Sequence, residues 1–147
     1  FTKREYEMKE VDRSNLFVYG TLKKGGRLHS VLGNSSEFLG VFKTIESKFD
    51  MYSYGCPIMV FKDDGFKIKG ELHRVTPECM ARVTAVECGA GYVPFIVDVN
   101  EENYPEGEPS KAIAFIYPTS NISATVSNYV VEKGGVNEKE RVKEWNG

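Results

Sequence analysis

The sequence predicts an α+β fold: a small mixed β-barrel or curled sheet with one main helix and short peripheral helices. Three observations carry this. Runs with strand composition outnumber helical ones, a single well-capped helical segment falls late in the chain, and no repeat, low-complexity stretch or linker divides the text. At 147 residues the chain fits a single domain over 1–147, with a core of about 16–118 and a polar C-terminal extension over 119–147.

The first element is "NLFVYG", a compact β-rich run ending at Gly20, the form of a buried strand. "TLKKGGRLHSVLGN" then reads as a loop that winds into a short helix over Leu28, Val31 and Leu32 before Gly33-Asn34 stops it. From Glu37 to Lys69 the text is dense in Phe, Tyr, Val and Ile, with a break at "SYGCP". The turn "KDDG" at residues 62–65 predicts a hairpin between "PIMVF" and "FKIKGELHRV". "TPECMARVTAVE" is the helix: Thr76 is its N-cap, Pro77 its first residue, and Glu78 lies in the first turn. Met80, Val83 and Val86 stand at helical spacing, and Gly89 and Gly91 end the segment. "YVPFIVDV" resumes strand, with Pro94 marking an edge or a bulge, and "KAIAFIYP" is a further strand. Beyond it the chain is polar, and "NEKERVKEW" reads as a solvated face, either a short helix carrying Trp145 or a loose tail.

Composition narrows the function. Hydrophobic residues make up 41% and charged residues 27%, and the formal net charge of −2 gives no basic footprint for nucleic acid or an anionic membrane. Cys56, Cys79 and Cys88 are widely spaced without a CxxC, against a disulfide framework or a cysteine-rich zinc site. No apolar run nears the roughly 18 residues that span a bilayer, and "FTKREYEMKEVDRS" lacks an apolar signal core. The expectation is a cytoplasmic protein, monomeric or a weak homodimer, that binds neither nucleic acid nor membrane.

The stretch "YGTLKKGGR" nearly spells a phosphate-binding loop, since Gly20 and Gly25 are separated by four residues. Such a loop needs lysine and then a hydroxyl residue after the second glycine, to neutralise phosphate and to meet magnesium. Gly26 and Arg27 stand there instead. A plain glycine turn explains Gly20, but not the tyrosine and small hydroxyl residue that flank it.

"VYGTLKKGGRLHSVL" resembles the opening of the γ-glutamylcyclotransferase-like proteins, whose first strand ends in Tyr-Gly-Ser/Thr-Leu, followed by Lys-x-Gly and an Asn-His pair. Val18, Tyr19, Gly20, Thr21, Leu22, Lys23, Gly25 and His29 match in order, with Leu28 in place of the asparagine. "DMYSYGCPIMV" resembles the family's tyrosine, glycine and proline segment. "KGELHRVTPECMARVTAVE" resembles the strand and helix that lead to a glutamate, and "ECGAGYVPFIVDV" the stretch from that glutamate to a tyrosine and an outgoing strand. The resemblance spans roughly residues 16 to 118 and is nearest to the γ-glutamylamine cyclotransferase, AIG2-like branch. Members usually carry arginine two places after that tyrosine, whereas Tyr92 is followed by Val93 and Pro94.

The resemblance implies an internal aminolysis. The α-amine of a γ-glutamyl group attacks its own γ-carbonyl, releasing 5-oxoproline and an amine, with no cofactor. It implies Glu87 as the catalytic base and then acid; a helix C-terminus is a poor place for a merely solvated carboxylate, and partial burial would bring its pKa toward neutrality. The turn Tyr19, Gly20, Thr21, Leu22 is the candidate substrate cradle, its backbone N–H groups suited to a carboxylate or an oxyanion. Gly55, Tyr92 and Tyr117 are candidate wall residues, with Pro57 shaping the same wall. Cys56 reads as a buried inert thiol, and His73 as a partly exposed strand residue. The alternative is a non-catalytic module that uses the same cavity for a small metabolite or a protein partner.

Overall fold

The computed structural model describes residues 15–20, 22–23, 29–33, 36–53, 57–104, 106–118, 135–137 and 141–145. Five strands close a barrel: β1 (Asn15–Val18), β2 (Ser36–Thr44), β5 (Lys67–Val75), β6 (Val93–Glu101) and β7 (Ser110–Ile116). Their order is β1-β7-β6-β2-β5, and pairing of β1 with β5 closes the ring. The barrel is mixed, because β1 runs parallel to β7 while the other pairs among these five are antiparallel. A separate hairpin joins β3 (Phe49–Ser53) to β4 (Pro57–Phe61). Among the described residues, one α-helix, α1 (Pro77–Gly89), and a 3-10 turn at His29–Val31 lie outside the strands.

Side-chain alternation along the strands separates two cores. Phe17 of β1 meets Phe42, Ile68, Leu72, Val97, Val99, Ala112, Ala114 and Ile116, so all five barrel strands converge on one cluster. Leu16 and Val18, on the opposite face of β1, join a second cluster with Leu32, Val75, Cys79, Val83 and Phe115. Strand β1 is therefore buried on both faces, which accounts for its unbroken apolar run. The expected helix forms with its expected start. Thr76 Oγ1 accepts the Cys79 N–H at 3.2 Å, and Pro77 occupies the first turn, where no intrahelical donor is needed. The buried stripe agrees with the expected one at Val83, which is buried, and at Met80, which packs on the second cluster, but it adds Cys79 and leaves Val86 40% exposed. Extending the i, i+4 step from Cys79 and Val83 arrives at Glu87.

Three other expectations are corrected. The "KDDG" turn does not close a hairpin between β4 and β5. Strand β4 pairs with β3, from Phe49↔Phe61 to Ser53↔Pro57, and β5 is held by β1 and β2. The turn is tied instead to the entry of β3, with the Lys62 N–H on Lys48 O and the Gly65 N–H on Ser47 O, both at 2.9 Å. The C-terminal segment is neither a short helix nor a tail where it is described. Strand β9 (Val142–Glu144) adds to β5 in parallel, and β8 (Gly135–Asn137) pairs with β9. Val142 and Lys143 are buried there, the lysine on Asp50 at 2.6 Å, so the charged text conceals a paired strand. His73 is buried rather than partly exposed, because its strand lies between β1 and β2 and the Phe38 ring stands 5.4 Å from its own.

Pro94 lies where β6 has one neighbour. Its first half pairs with β7 alone, and β2 joins only from Val99 onward, so a residue without an N–H is tolerated. Among the described residues no helix is long and apolar enough to cross a membrane.

Candidate active site

A pocket, partly open to solvent, lies against the second core. Phe17, Val18, Tyr19, Gly20, Leu22, Pro57, Glu87, Tyr92 and Phe115 line it. Four structural units thus meet at one point: the end of β1 and its turn, the start of β4, the last turn of α1 with the residues after it, and the end of β7.

The framework can be traced bond by bond. The Lys23 N–H donates to Gly20 O at 3.0 Å, closing the turn after β1. A Cβ added to Gly20 would stand 2.5 Å from Cγ of Pro57, so this glycine is required for close packing of the turn on the β4 entry. The Tyr92 hydroxyl donates to Pro57 O at 3.1 Å, and the Tyr92 N–H donates to Glu87 O at 3.0 Å. That last bond needs the chain to reverse at once after α1, and Gly91 permits it with φ of +98°. Turn, proline, tyrosine and glutamate therefore hold one another in register across the pocket. Gly20→Ala is expected to cost about 1–3 kcal/mol through overpacking, read as a lower midpoint in urea unfolding; an unchanged midpoint would show that Pro57 yields freely.

Glu87 is half-buried and sits among apolar and aromatic neighbours. Burial pushes its carboxyl up from 4.5 to about 7. Among the described residues its carboxylate has neither an ion-pair nor a hydrogen-bond partner, so no neighbour offsets the desolvation. A carboxyl near neutrality can accept a proton and return it at physiological pH, which is what general acid–base chemistry requires.

Tyr19, Gly20, Leu22, Tyr92 and Glu87 are thus brought together as the sequence suggested, while Thr21 and Gly55 lie outside the described residues, as does Cys56. The Tyr19 hydroxyl is committed to the scaffold: it donates to Phe115 O at 2.6 Å and accepts the Met59 N–H at 3.3 Å. Tyr117 is not among the described lining residues; its ring meets the Tyr92 ring edge-on at 5.4 Å. Phe17, Val18 and Phe115 were not foreseen, because in sequence they cannot be told from core strand residues. Among the described residues no group of three or more His, Cys, Asp or Glu side chains is placed to hold a metal ion.

A barrel of five strands and one helix, with this pocket at the end of its first strand, defines a class that comparison with known proteins identifies. Residues 16–136 match the profile of the family described as γ-glutamyl cyclotransferase, AIG2-like. The chain belongs to that family. A protein of Methanocaldococcus jannaschii, provisionally named a γ-glutamylcyclotransferase, is 31% identical over 110 residues, which are 71% of this chain and 85% of that protein. Among solved structures, an uncharacterised protein of Pyrococcus horikoshii superposes with a TM-score of 0.57 at 27% identity, over 78% of this chain and 86% of that one. A mouse AIG2-like protein shares the fold with a TM-score of 0.67 at 21% identity, over 78% of this chain and 84% of its own.

Proposed function

We propose that this protein is a γ-glutamyl cyclotransferase that converts a γ-glutamylamine or γ-glutamyl peptide to 5-oxoproline and a free amine, with Glu87 as general base and then general acid. The observation that carries the reading is a single one: the Glu87 carboxyl, which burial pushes up to about 7, lines the same pocket as the turn after β1.

The steps follow from the chemistry. The neutral α-amine of the substrate, with a reference pKa of about 8, attacks the γ-carbonyl carbon and closes a five-membered ring. The attacking nitrogen gives one proton to the Glu87 carboxylate and keeps one, which becomes the lactam N–H. The carbonyl oxygen carries negative charge in the tetrahedral intermediate, and backbone N–H groups of the turn from Tyr19 to Leu22 are its proposed donors. Collapse breaks the bond to the original amide nitrogen, which takes the proton back from Glu87 and leaves as the amine. The glutamate ends as it began, and water supplies no atom. Holding amine and carbonyl at attacking distance supplies much of the rate, since the reaction is intramolecular from the start.

The binding-only alternative rests on the arginine that is missing after Tyr92. Pro94, at that position, is exposed on β6 and is not among the described lining residues, so the substitution leaves the described wall intact. A panel of γ-glutamylamines and γ-glutamyl peptides, assayed for 5-oxoproline alongside thermal shift, separates the two readings. Product from at least one member is expected; stabilisation without product would establish binding alone.

A further inference from the structure

Strand β9 lies beyond the portion matched by the family profile, which ends at residue 136, yet it reaches the turn that forms one wall of the pocket. The strand is firmly anchored. Lys143, buried, places Nζ 2.6 Å from Asp50 and 4.6 Å from the centre of the Phe66 ring. Arg141 donates to Gly65 O at 2.9 Å and to Asp64 O at 2.7 Å, and its guanidinium lies over Phe66. The next residue in line, Trp145, packs on the barrel core, and its carbonyl accepts a hydrogen bond from Lys23 Nζ at 2.6 Å. Lys23 closes the turn through its own N–H to Gly20 O, while Lys23 is not one of the described residues that line the pocket. On the other side of the turn, Leu22 O stands 2.9 Å from His29 Nδ1.

We propose that Lys23 is a positioning residue: its ammonium, seated on the Trp145 carbonyl, fixes the Gly20–Lys23 turn, so that the C-terminal strand sets how well the pocket holds its substrate. An ammonium drawn off the surface onto a main-chain carbonyl is a costly arrangement unless the contact is used. Burial pulls the Lys23 pKa below its usual value, Glu144 and Glu71 work against that, and Lys69 adds to it. The carbonyl belongs to an anchored strand, so a change in β9 is transmitted to the turn without any β9 side chain touching substrate. The catalytic consequence rests on the cyclotransferase reading; the structural one does not.

The test uses the full chain with Lys23→Met, Lys23→Arg and Trp145→Ala, a chain ending at Glu144, and the Lys23→Met change combined with that shortening. Two readouts are taken: hydrogen exchange at the Leu22 and Lys23 amides, and the steady-state constants for a γ-glutamylamine. Lys23→Met and the shortened chain are each expected to speed exchange at these amides and to raise KM, both about tenfold, the size of one lost charged hydrogen bond. The combined variant should be no worse than either, since both remove the same contact. Lys23→Arg should restore most of the loss, and Trp145→Ala, which keeps the carbonyl, should leave exchange near wild type. A purely structural role would lower the active fraction, and so kcat, while leaving KM alone; that result overturns the proposal. Additive losses in the combined variant would also overturn it, by placing Lys23 on the substrate. If the wild type turns over no panel member, the cyclotransferase reading fails, and the exchange comparison still decides the role of Lys23.

Discussion

Glu87→Gln is expected to lower turnover of a γ-glutamylamine by about 10²–10⁴-fold, the usual contribution of a positioned acid–base group, and to leave the fold intact or firmer. The second half of that expectation follows from the sign of the pKa shift. The carboxyl is pushed up from 4.5 to about 7, so the folded protein holds this proton more tightly than the unfolded chain does. Across that window the group lowers stability as pH rises, and above pH 7 the whole penalty is present. At about 1.4 kcal/mol per unit, discounted for the solvent that the pocket admits, the penalty is on the order of 2 kcal/mol. Glutamine is neutral throughout. The variant should therefore unfold at higher denaturant than wild type at pH 8 and at similar denaturant at pH 4. For the active enzyme, kcat/KM should rise with pH through about 7 as the carboxylate forms. A variant with full activity, or stability curves that run parallel from pH 4 to 8, would remove Glu87 from the role given to it.

Lys143→Met is expected to cost about 3 kcal/mol of stability, although it stands in a stretch that reads as a charged surface. Lys143 and Asp50 are 3% and 2% exposed, and taking away one member of a buried pair leaves the other desolvated. Asp50 keeps the Met51 N–H at 2.8 Å and Lys62 at 3.3 Å, so the loss is partial rather than complete. Burial raises the Asp50 carboxyl, but bonds from Lys143, Met51 and Tyr52 outweigh it, and the net pKa lies below 3.8. Its contribution is accordingly present above the usual carboxylate range and is lost as pH falls through the lowered value. Replacing both partners, with Asp50→Leu beside Lys143→Met, should recover at least half of the loss, because no buried charge is left unpaired and Lys62, which also loses Asp50, is half-exposed. Urea unfolding of the two variants beside wild type checks this. A cost below 1 kcal/mol for Lys143→Met would mean that the pair is solvated and β9 only loosely attached.

What could be read from the sequence was local. The capped start of α1 needs only Thr76, Pro77 and Glu78, and the apolar run of β1 needs only burial on both faces. The errors fall where the deciding partner is distant in the chain. "KDDG" is a sound turn signal, but whether β4 pairs with β3 or with β5 depends on which edges the barrel leaves free. Strand β9 is three residues long with a lysine at its centre, and nothing local reveals that Asp50, 93 residues earlier, awaits it. The helix stripe reads correctly at Val83 and misses Cys79, because a lone cysteine is seldom counted as core although it packs as a small hydrophobe. Taking Cys79 and Val83 as the buried pair would have brought Glu87 onto the pocket side by periodicity alone. The turn and the glutamate were found through resemblance to a family motif, since a tyrosine, a glycine and a carboxylate in isolation are ordinary. Phe115 and Phe17 stayed hidden because a pocket wall made of core residues has the composition of core.

The central claim is that ring closure, not water, breaks the γ-glutamyl bond in this pocket. Turnover of a γ-glutamylamine in ¹⁸O-enriched water, followed by mass spectrometry, tests it most directly. The expected result is unlabelled 5-oxoproline, formed in one-to-one ratio with the free amine. Glutamate carrying one ¹⁸O would show hydrolysis and contradict the account.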